Sequence, residues 1–274
     1  MSHSLGDDRV RLDGKNYDER AQAFSQYVAN VALKSNVLLV PKASAPAYAA
    51  KILLNIDRED AIKKIGASAE RLTQSYLQAK GKQPAKAPVL DPFDKVALVN
   101  VFFLCRSYIP EEVAKKIRDY AALYQHREWR GYGAMNYRLM NDGAGFLAAE
   151  QWPEMVDQDG LKASEIARAT RQRLMGYFDQ ITQQNFHEYG CPIYLAVDLS
   201  AVRMLAEYAK DADVKQRATL TLDAMMLDLA CHWNSGFHAG SASRAKYWGS
   251  TNTGPEAMGS TATVGWLYYG AYRS

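Results

Sequence analysis

Apolar residues recur along most of this chain at the three- and four-residue spacing of helices. Between Tyr17 and Lys34 the positions Ala21, Phe24, Val28, Val31 and Ala32 form one such face. Residues 46–56 and 59–80 continue the pattern, and a stretch with two prolines and a glycine, 81–88, interrupts it. Asp91-Pro92-Phe93-Asp94 predicts a helix start. Asp91 caps, Pro92 suits the first helical position, and Asp94 complements the positive end of the dipole. The helix that follows, to about Ser107, is apolar nearly all round, so it is expected to be buried on most sides. Pro110 opens the next, whose stripe is Val113, Ile117, Tyr120, Ala121 and Tyr124.

Gly131-Tyr132-Gly133 breaks the periodicity, and helices are predicted over 136–152, 164–186, 192–209, 214–233 and 261–269. The segment 214–233 carries two apolar stripes. Leu222, Met225, Met226 and Leu229 form one; Leu220, Ala224, Leu227 and Cys231 form the other, which predicts burial on two sides. Methionines at this spacing read as core filler rather than cofactor ligands. With Val197, Leu205, Val101 and Phe102, the first stripe is the expected core. About ten helices, no strand and no sharp 34-residue repeat predict one continuous all-α domain over 1–274. Residues 1–90 are expected to be mainly structural. Aromatic and polar residues crowd the connections after Trp129, so 91–274 is expected to carry a cleft.

Composition narrows the class. The 274 residues are 48% hydrophobic and 23% charged, a globular mix that excludes wholesale disorder. Net charge is +3, too small to imply a nucleic-acid partner. Three widely spaced cysteines give neither a disulfide framework nor a Cys-built zinc site, and the five histidines include no i, i+4 pair. No metal and no cofactor are expected. No run approaches the ~18 apolar residues of a membrane span, so no membrane partner is expected. Met1 to Arg9 lacks the apolar centre of a signal peptide. The compartment is periplasmic or secreted if a signal has been removed, and cytoplasmic otherwise.

Three constellations could carry chemistry. The first runs from Trp129 and Arg130 through Tyr132, Asn136, Tyr137 and Arg138. Asn136, at the predicted helix start, serves either as an N-cap or as an amide donor to a substrate carboxylate. The second joins two long helices and holds His187, Glu188, Tyr189 and Tyr194. The third includes His238, then Arg244, Lys246, Tyr247 and Trp248, where cations stand beside a phenol and an indole. It reads either as a solvated loop with a cation–π pair or as an anion-binding wall whose tyrosine shares a proton. Phosphate-loop, HExxH and GxSxG signatures are absent from the sequence.

The segments GYGAMNYRLMNDGAGFLAAEQWPE and NFHEYGCPIYLAVDLSAVRMLAEYAKD, then DLACHWNSG and SRAKYW, in that order, resemble bacterial α/α-toroid polysaccharide lyases. The resemblance covers roughly residues 90–270 and extends to heparinase-like toroids and to lyases of glucuronan and alginate. It implies a toroid of helical hairpins and β-elimination on a uronic-acid polymer. By position it puts Asn136 in the role of carboxylate neutraliser, with His187, Tyr194, Arg244 and Tyr247 as the other catalytic candidates. Trp129, Arg130, Tyr132, Tyr137, Arg138, Glu188, Tyr189, His238, Lys246 and Trp248 become substrate-binding candidates. Elimination needs donors ready for the charge that develops on the enolate, and a tyrosine or neutral histidine within reach of the proton. Related toroids carry a histidine shortly after the asparagine where this chain has Tyr137, which leaves the base open. They also have six or seven hairpins where about five are counted here. The chain thus reads as a shortened toroid, a fragment, or a subunit completed by a neighbour.

The implied partner is an acidic polysaccharide or oligosaccharide, and a homo-oligomer is compatible with the pattern. Two other readings stand beside the lyase. A glycoside hydrolase on the same architecture would use facing carboxylates, such as Asp142 or Glu150 with Glu188. A non-catalytic carbohydrate-binding or assembly protein would use the cleft alone.

Overall fold

The computed structural model describes residues 16–31, 41–82, 90–124, 126, 134–184, 191, 194–234, 237–238 and 260–270. Ten helices account for nearly all of them: α1 (Tyr17–Val31), α2 (Pro41–Leu53), α3 (Arg58–Lys82), α4 (Pro92–Cys105), α5 (Glu111–Ala121), α6 (Met135–Gln151), α7 (Ala163–Gln184), α8 (Tyr194–Tyr208), α9 (Ala212–Cys231) and α10 (Ser260–Tyr269). The expected all-α class is therefore observed. The departures among the described residues are a minimal antiparallel ladder, in which Trp233–Asn234 (β1) pairs with Phe237–His238 (β2), and an isolated bridge between Val156 and Lys162.

Local signals set most helix starts. Asp91 accepts the Phe93 N–H at 3.0 Å, with Pro92 at the first helical position. Asp211 caps α9 through the Val214 N–H at 3.0 Å. One expectation fails, and one of two alternatives is excluded. Helix α2 begins at Pro41, so Pro46 lies inside it, on an exposed position, instead of opening it. Asn136 is not the N-cap of α6; Ala134 is, and it offers no side-chain acceptor to the first turn.

The even-numbered helices pack in series: α2 on α4, α4 on α6, α6 on α8 and α8 on α10. Odd-numbered helices flank them, with α3 on α5 and α7 on α9. Contacts between equivalent ends give each series one direction. Phe93 meets Tyr137 near the starts of α4 and α6, with ring centroids 5.6 Å apart, while Phe103 stacks on Tyr208 at 5.0 Å near the ends of α4 and α8. Likewise Arg171 reaches Asp211 and Asp213, and eight residues later Asp179 meets Arg217. Helix α1 touches both α2 and α10. Its Arg20, 8% exposed, donates to the Leu267 and Tyr268 carbonyls at 2.8 and 3.2 Å.

One apolar core runs from α2 to α9. The stripe of α5 is buried as expected, as are Met225, Leu229, Leu205, Val101 and Phe102, while Val197, Leu222 and Met226 are partly buried against them. The second stripe of α9 is a correction. Leu220 and Leu227 are 54% and 67% exposed, and Ala224 and Cys231 are exposed with them. Helix α9 packs on α7, α8 and α10 chiefly through its other face, which leaves this stripe exposed among the described residues.

Candidate functional site

Connections alternate in length around this arrangement. From even to odd helices they are mostly short, residues 54–57, 106–110 and 209–211, with 152–162 the longest. From odd to even helices they span 32–40, 83–91, 122–134, 185–193 and 232–259. The second set leads into the N-termini of the even helices. It holds Trp129, Arg130, Tyr132, His187, Glu188, Tyr189, His238, Arg244, Lys246, Tyr247 and Trp248. His238 is placed only as a strand position in β2, and the others lie outside the described residues. Asn136, Tyr137, Arg138 and Tyr194 are described, at the starts of the adjoining helices α6 and α8.

Asn136 is the second residue of α6 and 1% exposed, and neither its Oδ1 nor its Nδ2 has a hydrogen-bond partner among the described residues. An amide buried without partners costs on the order of 1–3 kcal/mol. Such a cost marks either a ligand position or a water position. Its helix is 17 residues long and lacks a side-chain cap, so the first-turn N–H groups and the dipole favour an anion there. Tyr137 is half-buried with its ring edge-on to Phe93, Arg138 is exposed, and Tyr194 is half-buried.

One to two turns into α6 lies a buried polar cluster that periodicity could not reveal. Lys95, on α4, is 0% exposed. Its Nζ donates to the Asn141 carbonyl and Oδ1 at 3.0 and 3.1 Å and lies 2.8 Å from His126 Nε2. It also sits 4.6 Å over the Tyr124 ring. On its far side, His126 Nδ1 lies 3.1 Å from Asp157 Oδ2, which also accepts the His126 backbone N–H at 3.1 Å. The carboxylate requires Nδ1 to carry the proton, so Nε2 is the acceptor facing Lys95. Asp157 is held in turn: its Oδ1 accepts the N–H groups of Asp159 and Leu161 at 2.9 Å each, in a turn where Gly160 takes φ +77°. Arg173 of α7 grips Asp142 with two bonds of 2.8 Å and gives a third, also 2.8 Å, to the His126 carbonyl. The Tyr177 hydroxyl adds a 3.3 Å bond to Asp142.

Burial dominates the proton affinities here. It brings Lys95 down to about 7, against the opposing pull of Asp142 and Asp157. It brings His126 down to about 4, with the Lys95 cation adding to the effect and Asp157 resisting it. Burial pushes Asp157 up, but bonds from His126 and the Leu161 N–H hold it below the usual carboxylate range. Tyr177 is pushed up to about 12, first by burial and then by Asp142.

Of the carboxylates named for hydrolysis, Glu188 lies outside the described residues and the other two are engaged elsewhere. Asp142 is 0% exposed in the Arg173 fork. Glu150, near the far end of α6, accepts the Lys210 and Asp211 N–H groups at 2.8 Å each, beside the start of α9. A groove of about 570 Å³ lies between the ends of α7 and α9, lined by Ile181, Gln184, Met225, Leu227 and Cys231 among others, and none of the described candidates lines it. Among the described residues no cluster of His, Cys, Asp and Glu could hold a metal, and no helix is long and apolar enough to cross a membrane. No family model, curated protein or solved structure matches this chain.

Proposed function

We propose that this chain is an α/α-toroid polysaccharide lyase that cleaves a uronic-acid polymer by β-elimination. The toroid rests on the serial packing of α2, α4, α6, α8 and α10, the flanking odd helices, and the bridge that α1 makes from α10 back to α2. In that arrangement the N-termini of the even helices share one rim. The long connections that lead in sequence into those N-termini hold the candidate aromatic, cationic and acid–base residues.

The observation that carries the proposal is Asn136, an amide buried without a partner at the uncapped start of α6. A substrate carboxylate accepting from its Nδ2 would be met by donors fixed in advance, which lowers the barrier to removing the adjacent C5 proton. Tyr194, His187 or Tyr247 would take that proton or return one to the departing glycosidic oxygen, and Arg244 would hold the carboxylate in both ground and transition states. The hydrolase reading loses support, since Asp142 and Glu150 are engaged in structural bonds.

The test is incubation of the full chain with glucuronan, alginate and related uronate polymers while ultraviolet absorbance is followed. Elimination leaves a conjugated unsaturated uronate end that absorbs where the substrate does not. Rising absorbance, abolished by Asn136→Leu, is the expected result. Reducing ends without absorbance would replace elimination by hydrolysis, and inertness on every uronate polymer would leave a binding or assembly role.

A further inference from the structure

The Asp157–His126–Lys95 chain goes beyond that reading, since it includes none of the residues proposed to act on the polymer and its lysine and histidine are fully buried. It ties together four parts of the molecule: α4 through Lys95, the connection before α6 through His126, α6 through Asn141, and the turn before α7 through Asp157. Both backbone polar groups of His126 are engaged, the N–H by Asp157 and the carbonyl by Arg173. The ring therefore cannot turn away without breaking bonds on every side.

The groups facing the pair come from each packed element. From the end of α5 and just beyond it come the phenols of Tyr120 and Tyr124, bonded to each other at 3.0 Å. Asp94 on α4 and Asp91 at its cap act on those phenols. Asn141 and Asp142 come from α6, Asp157 from the turn, and Arg173 and Tyr177 from α7. With Lys95 protonated and His126 neutral, the cations Lys95 and Arg173 balance the carboxylates Asp142 and Asp157. Protonating His126 sets a second cation 2.8 Å from Lys95 in a place closed to water, and among the described residues the only carboxylate bonded to the imidazole, Asp157, already balances a cation.

We propose that Asp157, His126 and Lys95 form an acid-sensitive lock: neutral His126 holds α4, α6 and the turn before α7 together, and its protonation releases α6, the helix that begins with the Asn136 turn. The depressed proton affinity of the buried imidazole agrees with this geometry and puts the release at distinctly acidic pH. His126 bonded on both sides is a two-state element of the kind that pH-sensing proteins use.

Nitrogen-15 NMR of the full chain, with His126→Gln identifying the ring signals, reads the lock without any polysaccharide and so independently of the lyase proposal. Expected is a neutral His126 ring with its proton on Nδ1 at pH 6, titrating near pH 4. In Lys95→Met that midpoint rises by a unit or more, because the neighbouring cation is gone. Amide-exchange protection across α6 falls at least about tenfold between pH 6 and pH 3.5. A proton on Nε2, a wild-type midpoint at the ordinary 6.5, or unchanged α6 protection would each overturn the proposal. If Lys95→Met does not fold, the wild-type tautomer, midpoint and exchange decide it alone.

Discussion

Gly145 passes so close to His126 that a Cβ at that position would lie 2.6 Å from the imidazole Cδ2 and 2.7 Å from Nε2. The same Cβ would be 3.2 Å from Lys95 Nζ. A glycine inside a helix ordinarily lowers stability by ~1 kcal/mol relative to alanine. Here the glycine admits the buried ring, and the sign should reverse. Gly145→Ala is expected to lower stability by about 1–3 kcal/mol, the usual cost of overpacking. Gly176, in α7, has open space where its Cβ would be, and Gly176→Ala should raise stability by up to ~1 kcal/mol. Urea denaturation of the two variants measures both signs, and a stabilised Gly145→Ala protein would refute the tight packing of His126.

Lys95 makes a prediction on the alkaline side. Its proton affinity falls from the ordinary 10.5 to about 7 on burial, so between those values the unfolded chain holds a proton that the folded chain does not. Stability should therefore rise with pH across that window and be lost as pH falls toward 7. Between pH 7.5 and 9.5 the gain should be about 2–3 kcal/mol, at ~1.4 kcal/mol per pH unit. Urea midpoints of wild type should climb over that range while those of Lys95→Met stay level. A level wild-type curve would mean that Lys95 keeps its proton.

Periodicity revealed the helices because each buries a stripe, and stripes are visible in one dimension. Leu229 and Leu227 mark its limit. Both belong to apolar stripes of α9, yet Leu229 is 0% exposed and Leu227 is 67% exposed. Spacing identifies a face but not whether a neighbour covers it. Asn136 was legible because it stands where an aromatic and glycine-rich connection meets a helix. His126 was visible only as an isolated histidine, and Lys95 as one cation in an apolar helix. Their pairing joins residues 31 positions apart in sequence, and its third member, Asp157, is 31 further on. No local spacing encodes that contact. The one sequence cue was a lysine in the first turn of a helix otherwise apolar on nearly every side.

The contact between α1 and α10 predicts coupled behaviour of the first and last described helices. Arg20 of α1 is buried, and its guanidinium donates to two carbonyls at the end of α10. The Tyr17 and Tyr268 rings lie 5.0 Å apart at the same junction. Arg20→Ala removes a charged donor from two acceptors, which should cost about 1.5–3 kcal/mol. Hydrogen exchange should rise together in 17–31 and 260–270 while α4 to α7 stay protected. An increase confined to α1 would mean that α10 is held by Trp233, which donates to the Gly270 carbonyl at 3.0 Å, and not by Arg20.

Asn136 separates a structural asparagine from a functional one, because the two roles predict opposite changes in one variant. Leucine keeps the branched heavy-atom skeleton of asparagine, somewhat enlarged, with two methyl groups in place of the polar atoms. Asn136→Leu therefore removes two unpartnered buried groups without opening a cavity. Stability should rise by up to about 1–3 kcal/mol, the penalty for leaving such groups unmet, less the cost of seating the larger side chain. The same change removes the proposed donor to the substrate carboxylate, and turnover on a uronate polymer should fall by about 10²-fold or more, as when an oxyanion donor is lost. A more stable but inactive protein is the signature of a residue kept for chemistry at the expense of the fold. Thermal unfolding and the absorbance assay on one preparation decide the matter. Loss of stability in both Asn136→Leu and the smaller Asn136→Val would show that the amide bonds within the protein, and a gain of stability at wild-type turnover would move carboxylate neutralisation to Arg244.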